Sequence, residues 1–590
     1  MVKPKADKSW EGCSTKGKVE FAHAAAAKSK QPKDSREPTT IREALTGEDS
    51  EKWKESIQEE WNSLIDQGVF TLVPREDTRG KCVITSRWVF KIKSDGRYKS
   101  RCVGRGFQQW NTSIDANFAP VARLGTVRLL LALSAIFHLD LWQQDVICAF
   151  LNSKIGADEA VYMELPECYA DKFPGMVVKL NKAIYGLKQS PRLWNRTLDE
   201  FLGGIGFKPS PIDPCLYILE EQVPCSKDAN CDSRCLRGSA SSKKGNLGAD
   251  KLTETARVYL CVYVDDILLC STHYELRQKV RTELKRRFQM SQKVDNVPTD
   301  LLGMQLTIGT HGVEIGQSKY ALETYNHYRD FSVQVGQATL PMKPDLKLSA
   351  SMADPQYMKG KDYRGLIGSL LYLTMCTRPD IAFPVKELSR MLDSPGREAW
   401  EAGQRLLEYI YNTHHFAIRY TRPSDFEEFE VKGMLHGYSD ADWAGQKDDR
   451  RSTSGYVFLV AGAAISWASK TQKSVALSTA EAEYMALAEA SKEAVHLKAL
   501  LASMGLEHVA PVTIYEDNQS AQKIAENPIQ HDRTKHIDIR YHFVRDLVAD
   551  LKIDIVYIET KKMVADLLTK AVPLVVHSAL VSKLFGHDVV

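Results

Sequence analysis

The segment Val258–Ser271 reads Val-Tyr-Leu-Cys-Val-Tyr-Val-Asp265-Asp266-Ile-Leu-Leu-Cys-Ser, two apolar runs with adjacent acids between them. Each run has the length and the β-branched or aromatic character of a buried strand. Two like charges in a dry strand pair cost roughly several kcal/mol unless something positive neutralises them. A divalent cation held by oxygen ligands does so most cheaply, and Mg²⁺ is the usual choice beside phosphates. The alternative is a solvated hairpin tip, since polar tips between strands are ordinary.

At 590 residues the chain exceeds one core and is expected to hold about three to five domains. Hydrophobic residues make up 43% and charged residues 26%, a globular balance. No apolar run approaches the roughly 20 residues of a membrane span, so no membrane partner is expected. The first residues have no apolar core behind their charges and do not read as a secretory signal. A net charge of +3 leaves nucleic-acid affinity to local patches. Cys102, Cys148, Cys261 and Cys270 lie in apolar segments and read as small buried hydrophobes of a reducing compartment. Cys225, Cys231 and Cys235 cluster in a polar stretch, with spacing that matches no zinc pattern.

Residues 1–40 lack sustained periodicity and read as a disordered basic tail or linker. Trp53, Ile57, Trp61 and Leu64 then share one face of a helix that Gly68 ends. In the hairpin Trp88–Arg101, a three-residue loop with Gly96 left-handed pairs Phe90 with Ser100 and Ile92 with Tyr98. The other face then carries Lys91, Lys93, Arg97, Lys99 and Arg101. Like charges across a ladder repel, so this face calls for an anion, phosphate first, unless it is simply a solvated edge. Val121–Ala135 is a strongly apolar helix, and Asp145 lies within the apolar strand that follows, an expensive place for an unpaired carboxylate. Around Tyr185–Pro191, Gly and Pro beside basic residues mark a turn that permits close approach. Residues 220–256 form a polar insertion, and Leu302–Arg329 and Asp362–Asn412 alternate strand and helix patterns.

The last module opens with a strand through Asp440 and Asp442, followed by a hairpin region through Trp467 and a helix from Ser478. Ser478-Thr-Ala-Glu481 is a capping box, which gives Glu481 a structural role. Glu483 instead continues the apolar stripe Leu487, Ala490, Ala494, Leu497, Leu501. Asp517 ends a strand and Asp566 starts a short helix, so four carboxylates at element ends could converge on one metal site.

From about Glu37 to about Pro573 the chain resembles the reverse transcriptase–ribonuclease H region of copia-type long-terminal-repeat retrotransposon Pol polyproteins. The resemblance rests on ordered motifs. They include Ser86-Arg-Trp-Val-Phe-Lys-Ile-Lys, Phe118-Ala-Pro-Val-Ala-Arg, Gln144-Asp-Val, Tyr185-Gly-Leu-Lys-Gln-Ser-Pro-Arg, Tyr263-Val-Asp-Asp and Thr377-Arg-Pro-Asp-Ile-Ala. Ser439-Asp-Ala-Asp-Trp-Ala-Gly, Ser478-Thr-Ala-Glu-Ala-Glu-Tyr and Lys535-His-Ile-Asp-Ile-Arg-Tyr-His-Phe complete the set. It implies an α+β and α/β multidomain chain. A right-hand polymerase of fingers, palm and thumb would span 41–335 with the insertion at 220–256. A connection region over 336–432, an RNase H-like domain over 433–575 and a tail over 576–590 would follow.

The implied catalytic and metal residues are Asp145, Asp265 and Asp266 in the palm, and Asp440, Glu483, Asp517 and Asp566 in the second module. Each site would use two Mg²⁺ ions, with Mn²⁺ as a substitute. Lys91, Lys93, Lys99, Arg101, Phe150, Gly186, Lys188 and Gln189 would contact nucleotide or nucleic acid, Phe150 by excluding a ribose 2′-hydroxyl. Strand geometry makes Asp265 and Asp266 unequal ligands, with Asp265 the main one. The implied partners are an RNA template, a DNA primer, the RNA–DNA hybrid and deoxynucleoside triphosphates, together with retrotransposon integrase or capsid proteins. The implied setting is a cytoplasmic virus-like particle with nuclear entry open. The segment Thr112–Asn117 is a residue or two short of the family pattern, and protease, zinc-knuckle and integrase signatures are missing. The chain therefore reads as a polyprotein piece, a truncated copy or a co-opted gene, the alternative to activity being a copy that binds nucleic acid without catalysis.

Overall fold

The protein is described by a computed structural model covering residues 37–93, 96–110, 117–224, 253–271, 273–291, 299–422, 434–446, 448–506, 510–526 and 538–589. Cys225, Cys231, Cys235, Thr112–Ala116 and Lys535–His536 lie outside these residues. Of the tail expected over 1–40, residues 1–36 lie outside the described residues, and Glu37 is tied to the fold. Its carboxylate is buried, accepts from the Ile92 N–H and pairs with Lys91, and Thr40 caps the helix Ile41–Thr46.

The helix Ser50–Asp66 buries Trp53, Ile57, Trp61 and Leu64, as their spacing dictates. Trp53 meets Phe90 and Tyr98 edge-on, which seats the apolar face of the hairpin Ser86–Ile92/Tyr98–Gly104 on this helix. The register is that of the three-residue loop: Phe90 faces Ser100, Ile92 faces Tyr98, and Gly96 has φ 83°. The basic face is left turned away from the helix.

The acidic hairpin forms the middle of an antiparallel five-stranded sheet. Its order is Asp140–Asp145, Asp266–Ser271, Thr253–Tyr263, Leu216–Pro224, Lys208–Pro209. Tyr259, Cys261, Leu268 and Cys270 join the core containing the helix Leu124–Ile136. Val258, Leu260, Val262, Ile267 and Leu269 join a second core with the helices Ser190–Gly204 and Tyr274–Arg287. Burial on both faces explains why these strands read as continuous apolar runs. The apolar helix starts at Leu124, three residues later than its pattern suggested. The polar insertion is shorter than 220–256, because Thr253 pairs with Pro224 and the strands extend to both points.

Two expectations about the middle of the chain are corrected. Asp362–Asn412 contains no strand among the described residues and folds as the helices Tyr363–Cys376, Ala382–Ser389 and Arg397–Asn412. The expected boundary at 335/336 cuts through a sheet, since Gly312–Gly316 pairs with Ala417–Thr421. The motif Thr377–Ala382 has a structural role here. Arg378 donates to both carboxylate oxygens of Asp380 at 2.9 and 2.7 Å and to Thr413, while Tyr409 donates to Asp380 at 2.8 Å.

The last module is a five-stranded sheet ordered Ala463–Thr471, Thr453–Val460, His436–Asp442, Val512–Glu516, Ile553–Tyr557. The first three strands are antiparallel and the last two are added in parallel. The expected tail over 576–590 is instead largely the helix Leu574–Phe585, which buries His577, Leu580, Val581, Leu584 and Phe585. Polar ties join the modules. Arg128 donates to the carbonyls of Ile465, Met375 and Cys376, with its guanidinium 3.9 Å from the Trp467 ring. Tyr259 donates to the Met504 carbonyl. No helix among the described residues is long and apolar enough to cross a membrane.

Candidate active sites

Asp145 ends its strand directly opposite Asp266, and Asp265 occupies the turn between Tyr263 and Asp266. The turn is strained: Val264, a β-branched residue, has φ 60°. The Trp194 indole holds it by donating to the Val264 carbonyl at 2.6 Å, and Val146 N–H donates to the Asp265 carbonyl at 2.9 Å. These contacts turn Asp265 into a cleft of about 130 Å³ that Asp145 also lines, whereas Asp266 is outside its lining. The basic hairpin face supplies Lys93, Lys99 and Arg101 to the same lining. Burial first, and then the neighbouring Arg101, push the Lys99 ammonium down, with Glu60 acting the other way. Lys91 is engaged with Glu37 and does not line the cleft.

The remaining predicted contacts fall differently. Phe150 is buried behind the cleft, edge-on to Tyr185 with ring centres 4.8 Å apart, and it is Tyr185 that lines the space. Gly186 has φ 90°, and a Cβ there would lie 2.1 Å from the Gly104 carbonyl oxygen, so the close approach it permits is to the chain itself. The Lys188 ammonium donates to the Gln109 carbonyl, and the Gln109 amide donates to buried Gln189. As placed, Gly186, Lys188 and Gln189 lock the turn to the segment after the basic hairpin rather than reach into the cleft. Glu60 also lines the cleft, its carboxyl pushed up by burial. Its position, three residues after Ile57 and four before Leu64 on the inner helix face, was a usable signal that went unread.

The second site gathers Asp440 from the central strand, Glu483 from the helix Thr479–Ser503 and Asp517 from just beyond Val512–Glu516. One carboxylate oxygen of each lies within 4.8 Å of the others. Glu481 caps its helix by accepting from the Leu477 N–H, while Ser478 accepts from the Glu481 N–H. Buried Asp566 completes the group through Lys570, whose ammonium is 2.8 Å from Asp566 and 3.7 Å from Asp440. Burial, then the Asp440 charge, pushes the Asp566 carboxyl up to about 7. Burial works against the Lys570 charge, but Asp440 and Asp566 raise it overall.

Burial first, and then Asp440, Glu516 and Asp517, push Glu483 well above the usual carboxylate range, and its Oε2 is buried without a hydrogen-bond partner. Glu516 is fully buried beside this cluster and is raised by burial, Asp440 and Asp517. It was missed in the sequence, although the alternation Val512, Ile514, Glu516 points it inward. Mutually repelling carboxylate oxygens with an orphaned buried acceptor suit a hard divalent cation such as Mg²⁺. The clustered oxygens, Asp440, Glu483 and Asp517, are the residues that fit it.

The sequence matches the family described as reverse transcriptase (RNA-dependent DNA polymerase) over residues 67–222. The chain is 36% identical over 92% of its length to the retrovirus-related Pol polyprotein from transposon TNT 1-94 of Nicotiana tabacum, covering 38% of that protein. It is 35% identical over 90% of its length to the counterpart from transposon RE1 of Arabidopsis thaliana, covering 33% of it. It thus spans about a third of the length of these two Pol polyproteins. The chain belongs to the reverse-transcriptase region of the Pol polyproteins of copia-type retrotransposons. A solved foamy viral protease–reverse transcriptase in complex with double-stranded DNA aligns with TM-score 0.43 at 15% identity, over 86% of this chain and 70% of that one.

Proposed function

We propose that the chain is an RNA-directed DNA polymerase with ribonuclease H activity, copying an RNA template from a DNA primer with deoxynucleoside triphosphates and degrading the RNA of the hybrid. The observation that carries the reading is the cleft that Lys93, Lys99 and Arg101 line together with Asp145 and Asp265. Its cations suit a triphosphate, and its carboxylates suit the ions that accompany it. Two Mg²⁺ ions per site, or Mn²⁺ in their place, would activate the attacking hydroxyl or water and balance charge on the leaving oxygen. Asp145 and Asp265 would hold them in the palm, with Asp266 the lesser ligand. Lys93, Lys99 and Arg101 would orient the phosphates, and Tyr185, backed by Phe150, would form the wall beside the sugar. In the second module Asp440, Glu483, Asp517 and Asp566 would hold the ions for hydrolysis.

Primer extension on a primed RNA with Mg²⁺ tests the first half. Wild type extends, Asp265→Asn does not, and Asp266→Asn retains more metal affinity than Asp265→Asn. Extension that survives Asp265→Asn refutes the assignment, and hybrid binding without incorporation under either metal points to a co-opted, inactive copy.

A further inference from the structure

Two residues beyond Asp440, the strand His436–Asp442 ends on a second acid. Alternation puts the Asp440 and Asp442 side chains on one face, about 7 Å apart along the strand. Gly455, directly opposite Asp440, has the segment Ala565–Thr569 packed on it: a Cβ there would fall 2.7 Å from the Thr569 methyl and 2.9 Å from the Leu568 side chain. The Thr569 hydroxyl also donates to Asp440. The backbone that carries Lys570 is thus fixed beside this strand, while the Lys570 side chain is 38% exposed, on a long stem with many rotamers.

Lys570 faces two sets of acids. Its ammonium is 2.8 Å from Asp566 and 3.7 Å from Asp440. It also lines a cleft of about 100 Å³ with Lys347, Glu387, Asp442 and Thr453. Burial pushes the half-buried Asp442 carboxyl up, and the Lys347 and Lys570 charges draw it back. Glu387 is already bonded to Lys386 and Arg390, whereas none of the described residues bonds the Asp442 carboxylate. A Cβ at Gly445 would collide with that carboxylate, so the glycine is needed to seat it.

The clustered oxygens leave Asp566 out. Asp440, Glu483 and Asp517 each bring one within 4.8 Å of the others, and Asp566 joins them through the ammonium. A divalent cation among the three acids leaves Lys570 where it is. One on Asp566 does not, because an ammonium 2.8 Å from the same carboxylate repels it strongly.

We propose that Lys570 competes with a divalent cation for Asp566 and, once displaced, is received by Asp442. The exchange rests on the divalent-ion reading of this cluster and goes beyond it by ordering the binding: the three-acid position fills first and Asp566 second. Asp442 keeps the displaced ammonium paired, and so acts only through Lys570.

The test is a calorimetric Mn²⁺ titration of the full chain carrying Asp145→Asn and Asp265→Asn, which silence the palm acids. Two ions bind, the second about tenfold more weakly than the first. Lys570→Met strengthens the second about tenfold and leaves the first within about twofold, whereas Lys570→Arg, which keeps the charge, does not strengthen it. Asp442→Asn weakens the second about fivefold when Lys570 is present and has no effect in the Lys570→Met background. A second ion indifferent to Lys570→Met, or a single ion in both proteins, overturns the exchange and leaves the divalent-ion reading standing. An Asp442→Asn effect that persists without Lys570 makes Asp442 a ligand and overturns its role as receiver. If Lys570→Met does not fold, Asp442→Asn alone decides, and an unchanged second ion overturns the exchange. Binding of no ion at all overturns the divalent-ion reading itself, and the exchange with it.

Discussion

Replacing Glu483 by Gln should stabilise the metal-free protein, and by an amount that grows with pH. The carboxyl is 7% exposed and pushed well above its ordinary 4.5 by burial and by Asp440, Glu516 and Asp517. For an acid raised in this way, the folded state binds more protons than the unfolded chain between the two pKa values. Stability contributed by the group is therefore intact below about 4.5 and lost as pH rises through that window toward the folded value. The loss grows steadily as pH rises above about 4.5 and is larger near neutrality than in mild acid. Gln has no such slope. In EDTA, hydrogen exchange of the amides in Thr479–Ser503 should thus show Glu483→Gln more protected than wild type near pH 7.5 and almost equal near pH 5.5. Saturating Mg²⁺ should reverse the order, because it stabilises the ionised wild-type cluster and not the variant. An exchange difference that is the same at both pH values, or a variant less protected than wild type in EDTA near pH 7.5, would refute this account of the cluster.

Arg378→Met leaves the Asp380 carboxylate buried without its cation and Thr413 without its donor, and should cost about 3–5 kcal/mol by denaturant titration followed at the connection helices. Arg128→Leu removes donors to three carbonyls on two other modules and should expose new protease sites between the palm and the last module, while extension persists. Val264→Gly should relieve about 1–3 kcal/mol of turn strain yet slow extension, because Asp265 loses its fixed aim. Gly186→Ala should abolish extension and lower the melting temperature, since its Cβ would collide with the Gly104 carbonyl.

Much of this was legible because the acids sit where the surrounding pattern forbids them. Asp145 closes a largely buried strand, Asp265 and Asp266 interrupt an apolar run, and Glu483 breaks the buried stripe of its helix. Loop chemistry at Gly96 likewise sufficed to fix the basic face. What stayed hidden depends on contacts distant in the chain. Nothing local marks Gly312–Gly316 as the partner of Ala417–Thr421, so the domain boundary implied by the resemblance cut the sheet. Arg128 and Arg378 look like ordinary helix or turn cations until their carbonyl partners, on Ile465 and Thr413, arrive from elsewhere. Lys188 and Gln189 looked available to a ligand because Gln109, about 80 residues earlier, was not known to hold them.

The two acidic sites balance their charge in opposite ways, and this follows from where each lies in the fold. In the palm, the acids line an open cleft, and a separate hairpin supplies Lys93, Lys99 and Arg101 to it. Cations and carboxylates there line the same space, so the cleft carries charge of both signs. In the last module the acids come from a strand, a helix and a strand end that pack directly on one another, with Lys570 as the cation bonded among them. One ammonium cannot offset Asp440, Glu483, Asp517, Asp566 and the buried Glu516 together. Protonation or metal must supply the rest. On the proposed reading the palm would gain specificity from its ligand, whereas the last module would gain stability from its metal as well.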